Sequence, residues 1–135
     1  MKRKMFGYLI GMVCCVLPGL GLAAQFDVTT PAELQAALVA AQSNGEDDTI
    51  SIASGTHDIS AGGTLVYAPA ENFGLTISGA DGAILDGGDA VRILSIDSTA
   101  LGSDDSAHVA LQNITIQNGN VSGSSGGGLW FQSAA

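Results

Sequence analysis

The stretch ITIQNGNVSGSSGGGLWF (residues 114–131) contains two short apolar segments, separated by a spacer that is mostly Asn, Ser and Gly. Each apolar segment is shorter than the roughly 10–12 residues that a helix in a globular protein usually needs. Gly, followed by Asn and Asp, adopts positive φ angles at the lowest cost, and sharp bends require such angles. The stretch therefore predicts brief strands that are joined by bends.

Similar apolar segments precede this stretch. TISIA (49–53) and LTISG (75–79) alternate apolar and polar residues in the same way as ITIQNG (114–119). Ile50 and Leu75 lie 25 residues apart, and Leu75 and Ile114 lie 39 apart, or 28 once the acidic 11-residue segment 97–107 is removed. A repeat of this length, built from short strands, is typical of a solenoid whose strands stack in parallel. We expect these side chains to be buried: Ile50, Ile52, Leu75, Ile77, Leu94, Ile96, Leu111, Ile114 and Ile116.

One helix is predicted, over residues 31–43. Thr30 is a good N-cap, Pro31 suits the first helical position, and Glu33 completes a capping box with Thr30. Leu34 and Leu38 recur at the spacing of one helical face. We expect this helix to cover the open end of the first coil, where exposed strand edges would otherwise pair with other chains.

The N-terminus has the features of a secretory signal peptide, which we assign to residues 1–23. Basic residues at 2–4 precede an apolar segment at 6–17, and small residues lead to a cleavage site after Ala23. The apolar segment is shorter than the ~20 residues that a membrane-spanning helix needs, so we predict no membrane span in the mature chain. The expected location is outside the cell or on its surface.

Removal of this segment leaves Arg92 as the one Lys or Arg residue against 13 Asp and Glu, a side-chain charge of −12. Nucleic acids are excluded as partners because their binding depends on Lys and Arg contacts to phosphate. An acidic polysaccharide would bind only through a bridging divalent cation. The mature chain also contains no cysteine, so the fold is predicted to depend on packing and backbone hydrogen bonds rather than disulfides.

Four segments together resemble the N-terminal part of right-handed parallel β-helix proteins of the pectate-lyase-like superfamily. This resemblance implies an all-β fold, a right-handed parallel β-helix of few coils with an N-terminal capping α-helix. Residues 24–48 would form the first strand and the helix, and 49–135 the coils, which we expect to be truncated at the C-terminus. The segments are FDVTTPAELQAALVAAQSNGEDDTISIASGTHDI (26–59), LTISGADGAILDGG (75–88), VALQNITIQNG (109–119) and GGGLWF (126–131).

The same resemblance implies candidate site residues. Pectate lyases of this superfamily use calcium held by Asp side chains and a basic residue as Brønsted base, and Arg92 is the one candidate for that base. Asp86 and Asp89 in LDGGD are candidates for a carboxylate pair or a calcium site, and Asp104 and Asp105 are further calcium candidates. For each candidate we favour a structural role instead. Arg92 would lie at the start of a strand, and Asp86 and Asp89 would form a tight bend. Asp104 and Asp105 would be part of a solvated cluster of charges.

The predicted function is a secreted or cell-surface scaffold without catalytic activity, adhesin-like or carbohydrate-binding. The alternative is the N-terminal part of a polysaccharide lyase or glycoside hydrolase, because the superfamily hosts both enzymes and binding proteins. No cofactor is predicted other than calcium. The expected partners are a polysaccharide or cell-surface glycan, further coils of a longer chain, or a second copy at the C-terminal end. There Leu129, Trp130 and Phe131 lie in a strand that no later strand covers.

Overall fold

A computed structural model describes residues 23–102, 108–123 and 126–134, which form eight strands, one α-helix and one short 3-10 turn. The signal-peptide prediction, apart from Ala23, and the Asp104 and Asp105 calcium prediction fall outside these residues. In chain order the elements are β1 (Ala24–Val28), α1 (Pro31–Ala40), β2 (Asp48–Ile52), β3 (Gly55–Asp58), β4 (Leu65–Tyr67), β5 (Gly74–Asp86), β6 (Leu94–Asp97), the 3-10 turn (Thr99–Leu101), β7 (His108–Gln117) and β8 (Leu129–Gln132).

The strands form two sheets, and every strand pairing in the described part of the chain is parallel. The larger sheet has five strands, in which β1 pairs with β2, while β5 pairs with β2, β3 and β7. The smaller sheet has the order β4–β6–β8. Both sheets add strands in chain order, so β7 and β8 each have a single partner among the described strands.

The prediction of an all-β, right-handed parallel β-helix is wrong. The structure is a small α/β fold of parallel sheets with a helix, in which 46% of the residues lie in strands and no solenoid is detected in the described part. One physical reason why the fold is not all-β is the helix, because Leu34 and Leu38 of α1 are buried in the same core as the strands. Strand length is another, because β5 spans 13 residues and is not one of the brief strands that the sequence predicts.

The predicted matching of LTISG with ITIQNG is also wrong. Leu75 pairs with Val109 and Ile77 with Leu111, whereas Ile114 pairs with Ala83. The prediction failed because HVAL (108–111) and ITI (114–116) both alternate apolar and polar residues, so a period of two fits either register. The structure places both segments in the single strand β7, which turns at Asn113 with a φ of 53°.

The core matches the sequence prediction at the first strands and departs from it at the last. Ile50, Ile77 and Leu94 are buried, as are Ile52, Leu75 and Ile96. The three predicted core residues of β7, Leu111, Ile114 and Ile116, pack against this core but are only half-buried. Among the described strands, β7 is covered by β5 alone, so its apolar side chains lack a neighbour on their other side.

The predicted helix and its capping box are confirmed. The Thr30 Oγ1 accepts a hydrogen bond from the Glu33 backbone N–H at 3.2 Å, and Glu33 Oε2 accepts one from the Thr30 N–H at 3.1 Å. Hydrogen bonds from Thr29, and then from Thr30, lower the pKa of Glu33, which stabilises its charged form at the helix N-terminus. The helix ends at Ala40, three residues before the predicted end at 43.

A side chain of α1 takes the place of a neighbouring strand beside β4. Gln35 Nε2 donates to the Val66 carbonyl at 3.1 Å, and the Val66 N–H donates to Gln35 Oε1 at 2.9 Å. An amide side chain presents the same donor and acceptor as a peptide group. Gln35 therefore satisfies the outward backbone groups of β4 and closes this edge of the smaller sheet.

We expect Gln35→Ala to lower the free energy of unfolding by about 1–2 kcal/mol, because two hydrogen bonds to the β4 backbone are lost. Urea denaturation measures this change. The matched control is Gln25→Ala on β1, an exposed side chain whose two contacts are long, at 3.5 Å. The control should change the stability by less than about 0.5 kcal/mol. Equal effects of the two substitutions would contradict the role of Gln35.

Gly79 allows β5 to approach β7 closely. A Cβ at this position would lie 2.4 Å from the Asn113 carbonyl oxygen and 2.7 Å from the Ala83 Cβ. These contacts involve the backbone and a buried side chain, so neither can move without displacing a strand. The absence of a side chain at residue 79 is therefore a condition of the pairing between β5 and β7.

Gly79→Ala should lower the free energy of unfolding by about 1–3 kcal/mol through this overlap. Gly62→Ala is the control, because a Cβ there meets no atom within 4 Å. Thermal or urea unfolding of both variants tests the prediction. A Gly79→Ala protein as stable as Gly62→Ala would show that the two strands do not pack as closely as described.

Candidate functional site

Three of the candidate site residues lie together on residues 86–92, which we call the 86–92 turn: Asp86, Asp89 and Arg92. It connects β5 to β6. The Asp86 Oδ1 accepts a hydrogen bond from the Gly88 N–H at 2.8 Å, and Gly88 and Asp89 have φ values of 57° and 55°. A carboxylate that bonds the backbone two residues later stabilises a tight turn.

Hydrogen bonds join the 86–92 turn to the last residue of β7 and to the segment that follows it. Gln117 Nε2 donates to Asp86 Oδ2 at 2.7 Å, and Asn118 Nδ2 donates to both Asp86 oxygens at 3.0 and 3.1 Å. The Asp89 N–H donates to the Asn118 carbonyl at 2.7 Å, and Asn120 Nδ2 donates to the Asp89 carbonyl at 2.9 Å. The two aspartates therefore connect two successive segments of the chain.

The electrostatics of Asp86 follow from these donors. The hydrogen bond from Gln117, followed by those from Gly88 and Asn118, lowers the pKa of Asp86 below its ordinary value. A general acid of a glycoside hydrolase needs a raised pKa instead. The carboxylate oxygens also face three amide donors, which would compete with a calcium ion for the same lone pairs. The position and the charge of Asp86 are therefore those of a residue that stabilises a turn.

Arg92, at the end of the 86–92 turn, contacts β8 and the segment just before it. Its Nε donates to the Gly126 carbonyl at 2.9 Å, and its Cζ lies 5.1 Å from the centre of the Trp130 ring. This distance is within the range of a cation–π interaction. A Brønsted base needs a free nitrogen lone pair directed at the substrate, whereas this guanidinium donates a hydrogen bond and lies over an aromatic ring.

Trp130 is directed away from the core. It lies opposite Ser95 in the pairing of β8 with β6, whereas its neighbours Leu129 and Phe131 lie opposite the buried residues Leu94 and Ile96. Side chains alternate between the two faces of a strand, so Trp130 points outward. Its ring is half-buried, and it packs beside the backbone of residue 126.

Four residues that contact the predicted site residues were not themselves predicted from the sequence: Gln117, Asn118, Asn120 and Trp130. We call the group formed by Arg92, Trp130, Asp89, Asn118 and Asn120 the polar corner. The signal that could have found it is the spacing of 31 residues between Asp86 and Gln117, which is the distance between paired positions in the second halves of β5 and β7.

A buried pair of titratable groups was also missed. Asp48 of β2 and Tyr67 of β4 are both buried, and Asp48 accepts a hydrogen bond from Asn44 Nδ2 at 2.7 Å. Burial raises the pKa of Asp48, and burial together with the nearby Asp48 charge raises the pKa of Tyr67 to about 12. Both groups lie in the core and fit a structural role there.

In residues 23–102, 108–123 and 126–134, no group of three or more His, Cys, Asp or Glu side chains is arranged to hold a metal ion. No helix in these ranges has the length and apolar character needed to cross a membrane. Among these residues, the calcium prediction for Asp86 and Asp89 therefore gains no third carboxylate ligand.

No protein-family model, curated protein or solved structure matches this chain. The relationship to the pectate-lyase-like superfamily therefore stays a prediction from the sequence.

The Asp86 contacts predict a pH-dependent stability. Because the folded-state pKa is lowered, the stabilisation by Asp86 is fully present above its ordinary value of 3.8 and is lost as the pH falls through the folded-state value. Asp86→Asn should therefore be less stable than the wild type at neutral pH, and the difference should shrink below pH 3.8. Asp81→Asn, which removes the same charge from an exposed position of β5, is the control in urea titrations at several pH values. A gap for Asp86→Asn that stays constant with pH would contradict the argument.

Proposed function

We propose that this chain is an exported scaffold protein without catalytic activity that binds neutral glycans at the polar corner. The observation that supports this proposal is the position of Trp130, the only tryptophan of the chain. It lies on the outer surface, half-buried, with the Arg92 guanidinium 5.1 Å from its ring centre. The exposed side chains of Asp89, Asn118 and Asn120 lie on the adjoining segments.

This combination suits the chemistry of sugars. A pyranose ring has an apolar C–H face that packs on an aromatic ring, while its hydroxyl groups both donate and accept hydrogen bonds. The Nδ2 groups of Asn118 and Asn120 already donate to Asp86 and to the Asp89 carbonyl, so these side chains offer mainly their amide oxygens as acceptors. A carboxamide NH₂ carries two donors, so Asn120 can donate once more, and the Asp89 carboxylate offers a further acceptor. The Arg92 guanidinium is itself held by its hydrogen bond to the Gly126 carbonyl, and it lies against the Trp130 ring. This contact holds the indole in one orientation, which reduces the entropy lost on binding.

The charge of the chain favours neutral over acidic glycans. The whole sequence has a formal net charge of −9, and three of its four basic residues lie at positions 2–4, inside the predicted signal peptide. A uronic-acid polymer would meet long-range repulsion, whereas a neutral glycan would not. The predicted signal peptide at residues 1–23 supports export, and export would bring the protein to places where glycans are found.

The enzyme alternative has less support from the geometry. Asp86 is held in its charged form by amide donors, and the Arg92 guanidinium is engaged with Gly126 and Trp130. A lyase or a glycoside hydrolase would need one of these groups to exchange a proton with the substrate. A binding protein needs them only to hold the corner in shape.

The test combines binding and turnover on the protein as it is recovered from the producing cell. Neutral glycans and polygalacturonate, with and without calcium, should be screened by an array and then by calorimetry. We expect a neutral glycan to bind, Trp130→Ala to weaken that binding by about 10–30-fold, and no substrate to be cleaved. Phe73→Ala is the matched control, because Phe73 is an exposed aromatic residue (38%) outside the polar corner.

Two results would contradict the proposal. One is binding that Trp130→Ala and Phe73→Ala leave equally strong. The other is cleavage of a glycan that disappears in Arg92→Ala or in the Asp86→Ala/Asp89→Ala double variant, which would favour the enzyme alternative. Mass spectrometry of the exported protein tests the location, because a chain starting at Ala24 or Gln25 is expected, whereas a retained Met1 would oppose export.

A further inference from the structure

We infer that two copies of this chain associate through the surface formed by β7 and β8, which we call the β7–β8 face. On the side that faces the core, these strands carry apolar residues that no described strand covers. Leu129 is 43% exposed and Phe131 is 49% exposed, whereas their partners on β6, Leu94 and Ile96, are 2% and 3% exposed. The half-buried Leu111, Ile114 and Ile116 of β7 belong to the same face.

The backbone at this face also lacks partners among the described strands. The Gln117 carbonyl accepts a hydrogen bond from the Gly87 N–H on the β5 side, so the alternating groups of Ile116 point away from β5. Likewise, the Gln132 carbonyl accepts from the Ser98 N–H, which directs the groups of Phe131 outward. Edge strands of this kind pair readily with another chain.

The distribution of charge identifies the partner as a second copy. Strands β1, β2, β3, β5 and β6 each carry at least one aspartate, whereas β4, β7 and β8 carry none. Residues 106–135 contain no Asp, Glu, Lys or Arg, although the chain has 13 acidic residues. Two chains with a net charge of −9 repel each other, so they can meet closely only through an uncharged surface. A basic partner would instead be attracted to the acidic strands.

The structure also selects the geometry of the dimer. Stacking of β8 onto the β4 edge of another copy would continue the parallel sheet, but Gln35 already bonds the outward backbone groups of Val66 on that edge. A two-fold axis avoids this obstacle because it brings each face against the same face of the other copy. In that arrangement β7 pairs with the β7 strand of its partner in antiparallel orientation.

The experiment measures the mass of the protein, as recovered from the producing cell, by analytical ultracentrifugation over roughly 1–100 µM, the range in which modest dimers dissociate. The test variant is Leu129→Glu/Phe131→Glu, which places two carboxylates per copy in the interface. The control is Val39→Glu/Val66→Glu, which adds the same charge at two exposed valines (55% and 42%) on α1 and β4. We expect the test variant to raise the dissociation constant about 100-fold or more and the control to change it by less than about threefold.

Two measurements on the wild type keep the inference testable if the test variant does not fold, which circular dichroism would reveal. Added salt should leave the dimer intact or tighten it, because the charges of the two copies only repel. The Ile116 amide should exchange its hydrogen more slowly at high protein concentration. A wild type that is monomeric throughout the range, an equal response of both double variants, or dissociation by salt would each overturn the inference. Binding of a different protein to a monomeric chain would do the same.

Discussion

The parallel, in-register pairing of successive strands is the constraint on which the rest of the structure depends. Ile50, Ile77 and Leu111 occupy equivalent positions on β2, β5 and β7, so each buries the one before it. Burial of such a side chain contributes about 1.5–3 kcal/mol, but only where a neighbour covers it. The buried core residues of β2 and β5 and the half-buried ones of β7 are two results of this single rule.

The same pairing explains why the acidic residues of the bends are structural. Stacked strands place their bends on top of one another, and the backbone there must adopt positive φ angles, as at Asp89 and Asn118. Peptide groups at a bend lie outside the ladder and need side-chain partners. Asp86 accepts hydrogen bonds from its own bend and from the next one, at Asn118. A carboxylate used in this way cannot easily serve a reaction as well.

The two edges of the smaller sheet differ in how they end. At β4 the helix supplies Gln35, whose amide replaces a missing strand. At β8 no comparable group is present among the described residues, and Leu129 and Phe131 remain partly exposed. The chain therefore has one edge closed by its own side chain and one edge suited to a partner. The outward side of β8 carries Trp130, so glycan binding and self-association would use opposite sides of the same strand.

The sequence by itself determined the helix and its capping box, the alternation of buried residues in β2 and β6, and the acidic charge, because each depends on residues close together in the chain. Only the tertiary structure decided which segments pair, that β5 and β7 are longer than the predicted brief strands, and that the helix joins the core of an α/β fold. It alone also placed Arg92 over Trp130, since the two side chains meet across the β6–β8 pairing. The reason is that a period of two fits several registers equally well, and the choice between them is made by contacts between residues some 30 positions apart, such as Gly79 against Asn113.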